Sequence, residues 1–432
     1  MREVNVIATD ESAAKRAFVT AWVCCLAFYF LEYAVRSAPA VMIPQLSTAF
    51  GVSALGVSGI LGAYYYTYST ASLLAGVLLD RLGAKFVVPT GMAVLGIGCL
   101  VFAMPSPLAG DVGRLLQGAG SAFAFTGAVY LASHGLPAAR LATAIGVTQC
   151  LGMLGGTAGQ IAVGPLVREG LGVATLWTAA GAIILVVAVA LLLTTPRERI
   201  QRRAGTGGAL STYKIVFSNP QSYLCGLVAG LLFAPTTVGD MVWGVRFFQE
   251  DKLFSYTTAV FAVSMVPFGW VFGCPLLGWI ADRMGRRKPA LIGGALVMIC
   301  ACAQLTYLPS LVPTWLTLFV FGLASGAAMI PYTIIKEANP DEVKGSATGA
   351  INFLTFAVSV LVGPIFGRLY GGSLGTAGEA PLQHFQGSLL FWILLISAAI
   401  VISALLRETG SAAKQLNNPG RIQASTVRVR HG

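Results

Sequence analysis

Apolar residues run along this chain in twelve long stretches, each close to the roughly 20 residues that cross a hydrocarbon layer about 30 Å thick. They fall at 17–46, 53–79, 86–104, 110–133, 139–166 and 172–195, then at 222–250, 255–281, 289–308, 312–335, 345–370 and 385–406. None alternates residue by residue as the strands of a membrane barrel do. The pattern predicts helices, because an isolated segment in lipid satisfies its backbone groups only by coiling. A polar segment at 196–221 divides the set six and six. The expected fold is therefore an all-α integral membrane protein of twelve transmembrane helices. We expect an N-terminal segment (1–16), a six-helix bundle (17–195), a central loop (196–221), a second six-helix bundle (222–406) and a disordered basic tail (407–432). The first span is long and follows a polar stretch, so it reads as a retained helix and not a cleaved leader.

The two sets of spans share a sentence of sequence. Gly76-Val-Leu-Leu-Asp80-Arg81-Leu-Gly83-Ala-Lys85 ends the second span, and Gly278-Trp-Ile-Ala-Asp282-Arg283-Met-Gly285-Arg286-Arg-Lys288 ends the eighth. Such a repeat implies two pseudo-symmetric halves descended from one unit, an architecture common among membrane transporters.

Composition excludes a soluble protein: 56 % of residues are apolar and 10 % charged, against roughly 25 % charged in ordinary globular domains. The net charge of +11 matters through its placement. Arg2, Lys15 and Arg16, then Arg81 and Lys85, Arg140, the run Arg197 to Lys214, Arg283 to Lys288, Lys336 and Lys344, and the tail cations all fall on alternate connections. Positive charge collects on the cytoplasmic side, so both termini are expected there, in a bacterial-type inner membrane or one derived from it. Cations spread over alternate loops do not make the single basic face that nucleic acid requires.

The eight cysteines all lie inside predicted spans, where they read as small hydrophobes and not as a disulfide framework or a zinc site. The histidines, 134, 384 and 431, sit at span ends or in the tail, and no phosphate-cradling loop occurs. We expect no enzyme and no cofactor; the expected partners are the lipid bilayer, a small-molecule or ion substrate, and a proton.

Candidate chemistry lies within the spans. Glu32 and Arg36 in span one are spaced i, i+4 and can pair on one face beside Tyr29 and Tyr33. Span four carries Arg114, Gln117 and Ser121 on one face, with Gly118 and Gly120 permitting close helix approach. An arginine at that depth must be paired or face water. Span two holds Tyr64, Tyr65, Tyr66 and Tyr68, and span eleven the polar row Thr348, Asn352, Thr355 and Ser359. Asp240 in span seven is the repeat counterpart of Glu32, one carboxylate per half, suited to carrying a coupling proton.

With these residues in view, the paired loop motif, the six-plus-six layout and the basic central loop resemble the major facilitator superfamily. The resemblance implies a secondary transporter working by alternating access, with Asp80 and Asp282 and the cations after them (Arg81, Lys85, Arg283, Arg286) as gating latches. Span one, Tyr29-Phe-Leu-Glu32-Tyr33-Ala-Val-Arg36-Ser-Ala-Pro39, is similar to the organic-anion and organophosphate symporter branches, which implies that Arg36 binds an anion. Arg114, Gln117, Tyr29, Tyr33, Tyr64, Tyr68 and Asn352 join it as substrate-binding candidates, and Glu32 and Asp240 as coupling candidates. The antiporter run Gly-Pro-x-x-Gly-Gly of the superfamily is absent from span five. A looser resemblance to permeases associated with siderophores and magnetosome membranes implies an alternative, transport of iron, another divalent metal or a metal chelate, with Glu32 and Asp240 holding the ion. A third possibility is a transporter-like sensor without flux.

Overall fold

The computed structural model describes residues 2–136, 138–197, 209–306, 312–340, 343–371 and 381–410, and every structural statement below concerns these. The first helix, α1 (Arg2–Ser37), runs unbroken through the expected N-terminal segment into span one. It stops where Pro39, which has no N–H to give, begins a tight turn at Ala38–Val41. Pro44 then opens the short α2 (Ile43–Phe50). The stretch read as 17–46 is thus two pieces, the span ending at Val41. A 98° bend separates α2 from α3 (Ala54–Leu82), whose first turn is capped by the Ser53 hydroxyl.

The remaining spans follow as α4 (Ala84–Phe102), α5 (Pro107–Gly135), α6 (Ala138–Arg168) and α7 (Val173–Thr194). The central segment, expected to be a loop, contains a helix, α8 (Ala209–Ser218). Its Tyr213 hydroxyl donates to Leu73 O at 3.0 Å, so it packs on the end of α3. Span seven comprises α9 (Pro220–Ala234), a π-helical stretch (Pro235–Gly244) and α10 (Val245–Glu250). The wider π turns begin at Pro235, which cannot make the backbone bond a regular helix would need there. Then come α11 (Tyr256–Met284), α12 (Lys288–Thr306), α13 (Thr314–Ser325), a tight turn at Gly326–Met329 and α14 (Ile330–Ala338). The chain closes with α15 (Lys344–Phe366), a π turn at Gly367–Gly371 and α16 (Pro381–Leu405). Eleven helices are long and apolar enough to cross a membrane, and the broken α2–α3 pair makes a twelfth.

The first six spans meet the last six along two main seams, α3 against α15 and α6 against α11. Within each set, glycines let backbones approach closely. A Cβ on Gly322 of α13 would lie 2.0 Å from Val266 O of α11, and one on Gly273 would lie 2.0 Å from Leu323 O. Gly278, by contrast, faces open space. We expect Gly322→Ala to force α11 and α13 apart at a cost of about 1–3 kcal/mol, and Gly278→Ala to be neutral. Melting temperatures in detergent would check this, and equal values for both variants would contradict the packing described.

Candidate functional site: a buried charge cluster

Helical spacing places Glu32 and Arg36 on one face of α1, and the surrounding bundle removes both from water: Glu32 is 0 % and Arg36 1 % exposed. Arg36 donates from Nη2 to Glu32 Oε1, and the Tyr64 hydroxyl donates to the same oxygen. Tyr64 also accepts from Arg36 Nε at 3.1 Å, closing a three-membered network between α1 and α3. The guanidinium carbon lies 4.3, 4.5, 5.2 and 5.3 Å from the ring centres of Tyr33, Tyr68, Tyr64 and Phe356. This aromatic box replaces part of the lost hydration by cation–π attraction.

Arg114 enters the cluster from α5. Its guanidinium sits 4.7 Å from the Tyr64 ring centre and donates to Val35 O at 3.3 Å, Leu61 O at 3.4 Å and Gln117 Oε1 at 2.8 Å. Gln117 is held in turn by Gly98 O at 3.4 Å and Cys99 Sγ at 3.7 Å. Among the described residues no carboxylate reaches Arg114 within ion-pair distance. The cluster thus holds two guanidiniums and one carboxylate, which pairs with Arg36, and three of its buried atoms are left without a partner: Glu32 Oε2, Arg36 Nη1 and Arg114 Nε. Such orphans are costly in a low-dielectric interior, and they mark where a polar ligand or water would gain most.

Beside this network lies a cavity of about 10 Å³ bounded by Tyr29, Tyr33, Tyr68, Gln149, Tyr332 and Asn352, room for about one water. Tyr29 donates to Gln149 Oε1 at 3.2 Å; Asn352 accepts from the Tyr332 hydroxyl at 3.2 Å and donates to Ser72 Oγ at 3.0 Å. The candidate residues Tyr29, Tyr33, Tyr64, Tyr68, Arg36, Arg114, Gln117 and Asn352 are thus brought together. Gln149, Tyr332 and Phe356 were not foreseen. Gln149, one of two amides in span five, was the available signal; Phe356 carried none.

Asp240 stands apart. It lies on the π-helical stretch, 7 % exposed, beside Gln160 of α6. It lines a cavity of about 70 Å³ with Phe247, Val266, Phe321, Phe385 and Trp392. Its Oδ2 has no partner. The repeat position that pairs it with Glu32 in sequence does not bring it into the Glu32 network.

The loop motif shows a different kind of chemistry. Gly83 and Gly285 end α3 and α11 with φ of +73° and +61°, values open to glycine and strained for other residues, which accounts for the repeated Gly. Lys85 Nζ donates to Leu192 O at 2.5 Å and Thr195 O at 2.6 Å, capping the carbonyl end of α7. Lys288 Nζ does the same for α16, reaching Ala404 O at 2.9 Å and Leu406 O at 2.8 Å. Arg287, which the sequence reading did not single out, pairs with Asp282 and grips Glu337 of α14 at 2.8 and 3.3 Å. Its bonds to Glu337, working against its burial, hold the guanidinium above its ordinary range. Arg286 lies 3.6 Å from Glu408. Arg81 and Arg283 are exposed, with Arg283 stacked 5.3 Å over Trp279; Gly76 packs toward the Tyr213 hydroxyl. The Asp80 side chain lies outside the described residues. These contacts tie each motif loop to the closing helix of its own set of spans.

Fold and site together define a multi-pass α-helical membrane protein with a buried, charged centre. The family model for the Major Facilitator Superfamily matches residues 25–364, and the chain belongs to that superfamily. It is 25 % identical over 432 aligned positions to the membrane sensor protein UhpC of Escherichia coli K12, covering 91 % of each chain. It is 34 % identical over 134 residues to the multidrug resistance protein MdtM of Salmonella typhimurium, covering 30 % of this chain and 29 % of that one. The chain spans about a third of the curated relatives it matches at 30 % identity or more. In fold it resembles a bacterial homologue of the human lysosomal transporter Spinster, solved inward-facing and unoccupied, with TM-score 0.71 at 16 % identity over 90 % of this chain and 97 % of that one.

The buried Glu32–Arg36 pair makes the cluster's stability testable. Glu32→Ala strands Arg36 in the interior and should cost about 3–5 kcal/mol, whereas Glu32→Ala combined with Arg36→Met should recover most of it. Thermal denaturation in detergent would measure both; a double variant no better than the single one would refute the pairing.

Proposed function

We propose that this protein is a secondary transporter that carries a small anionic solute by alternating access, with Arg36 and Arg114 as anion ligands and Glu32 as the coupling carboxylate. The observation that carries the proposal is the charge count at the centre: two guanidiniums, one carboxylate, and donors on both arginines left without partners. In this structure Glu32 occupies Arg36. Protonating Glu32 would weaken that hold and free a guanidinium edge for the incoming anion, so proton and anion would bind together. Tyr29, Tyr33, Tyr64, Tyr68, Gln117 and Asn352 supply hydroxyls and amides to orient the solute, a division of labour usual in small-molecule sites. Asp240, in its apolar cavity, is a second carboxylate able to carry a proton.

The reading includes the topology: two six-helix halves, with both termini cytoplasmic. The end at which α1 finishes is then the outer face, and two contacts bridge the seam there. Tyr256 Oη donates to Val41 O at 2.5 Å, and Arg168 Nη1 donates to Thr257 Oγ1 at 2.7 Å. The motif loops, by stiffening each half through Lys85, Arg287 and Lys288, would let the halves rock as units.

A second reading, a sensor without flux, is favoured by the match along 91 % of the membrane sensor protein's length. The divalent-metal reading finds no support: among the described residues no three His, Cys, Asp or Glu side chains gather as a metal site.

Thermal shifts against carboxylates, sugar phosphates, nitrate and divalent cations would test ligand class, since a ligand at about 100 times its Kd stabilises the folded state by about 2.7 kcal/mol. We expect an anion to raise the melting temperature of the wild type and to leave Arg36→Met unmoved. In proteoliposomes, Glu32→Gln should keep exchange of that anion and lose its proton-driven accumulation. Stabilisation by neutral solutes alone would overturn the anion assignment, and ligand binding with no flux would establish the sensor.

A further inference from the structure

Away from the Glu32 network, at the end where span seven finishes, a histidine and an aspartate meet in a buried setting. His384, in the first turn of α16, is 5 % exposed, and Asp251, just beyond α10, is 9 % exposed. His384 Nδ1 lies 2.8 Å from Asp251 Oδ2, and Nε2 lies 2.8 Å from Tyr370 O on the π turn that follows α15. Both ring nitrogens therefore face oxygen acceptors. A neutral imidazole carries one N–H, so it can satisfy one of these contacts and must set a lone pair against lone pairs in the other. Two arrangements remove that conflict: an imidazolium donating to both oxygens, or a protonated Asp251 donating to Nδ1 while Nε2–H donates to the carbonyl. Each holds one proton more than a neutral ring beside a carboxylate.

We propose that His384 and Asp251 form a proton-binding site, separate from Glu32 and Asp240, whose bound proton clamps three span ends together: the end of span seven, the π turn after α15 and the start of α16. The surroundings favour retention. The Phe247 ring stacks on the imidazole at 5.4 Å and 16°, and Phe385 packs against Phe248 alongside. Burial pushes the Asp251 carboxyl up, partly offset by the His384 ring itself. The other charged or titratable groups at the site are Glu250 and Arg246 of α10, which pair with each other at 2.7 Å, and Lys252, whose Nζ lies 4.6 Å from the Phe385 ring centre. From the π turn come Tyr370, whose carbonyl is already engaged, and the exposed Arg368. On α16, among the described residues, His384 is the ionisable group at the site. The sign follows directly: the clamp exists while the proton is bound, so its contribution is present at lower pH and is lost as pH rises through the titration of the pair.

The test is NMR of the full-length protein in detergent, labelled with ¹⁵N-histidine and ¹³C-aspartate, across about pH 6 to 9, a range that spans ordinary histidine titration. Replacing His384 with Gln assigns its signals. Should that variant not fold, replacing His134 and His431 assigns the third histidine by elimination. At about pH 7.5, above the ordinary histidine value near 6.5, we expect the pair to hold its extra proton, seen either as a doubly protonated ring or as a protonated Asp251 carboxyl. Asp251→Asn should shift the ring's titration to lower pH and flatten the fall of melting temperature between neutral and alkaline pH. A singly protonated His384 beside an ionised Asp251 at that pH, or a titration unmoved by Asp251→Asn, would overturn the proposal.

Discussion

Burying ionised side chains inside an apolar bundle costs several kcal/mol per ion unless attraction and hydrogen bonds replace the lost water, and at the centre of this protein Glu32, Arg36 and Arg114 impose that demand on everything around them. Arg36 is neutralised by Glu32, solvated by aromatic faces and steadied by the Tyr64 hydroxyl. Arg114 has no carboxylate and relies on carbonyls lent by α1 and α3. Those carbonyls come within reach because Gly118 allows α5 to press on α3, where any Cβ would meet Tyr64 O at 2.1 Å. Gly120 does the same toward α4, at 2.4 Å from Gly91 O. The glycines and the arginine of span four are thus parts of one device. Close helix approach supplies the backbone dipoles that make a deep cation tolerable.

The cluster is compact but not fully satisfied, and that is what gives it functional meaning. A fully paired network would rigidify the bundle and leave nothing for a ligand to gain. Here both arginines and Glu32 keep unpartnered atoms, and a cavity with room for about one water lies alongside, lined by Tyr33 and Tyr68 of the same aromatic box. A solute-binding state must open this space by moving helices, which is what a bundle linked mainly through α3–α15 and α6–α11 can do.

Chemistry is divided unevenly between the two sets of spans. The first set carries the ion pair buried at the centre. The second places Asp240 on a π-helical stretch facing an apolar cavity and sets a His–Asp pair at the end of span seven. The loop motif is where the two sets agree most closely. In each, a glycine with positive φ turns the chain and a lysine caps the carbonyl end of the closing helix. Cations at helix C-termini are favoured by the helix dipole, so the motif acts as a helix-end staple as well as a topology signal.

Span number, helical class and the i, i+4 pairing of Glu32 with Arg36 were legible in the sequence, because each depends on local spacing and on the cost of exposing backbone to lipid. So were the glycine positions of the loop motif, although their reason, a positive φ, was not. What only the tertiary structure decided depends on contacts between residues distant in the chain. The helix in the central segment is one such case, seated on α3 through the Tyr213 hydroxyl. Gln149, Tyr332 and Phe356 join the centre from spans five, ten and eleven, over separations that no local pattern encodes. Asp240, expected from the sequence to be the counterpart of Glu32, lies instead beside Gln160 and a mostly apolar cavity. Spacing along one helix determines which side chains share a face; packing between helices determines what that face meets.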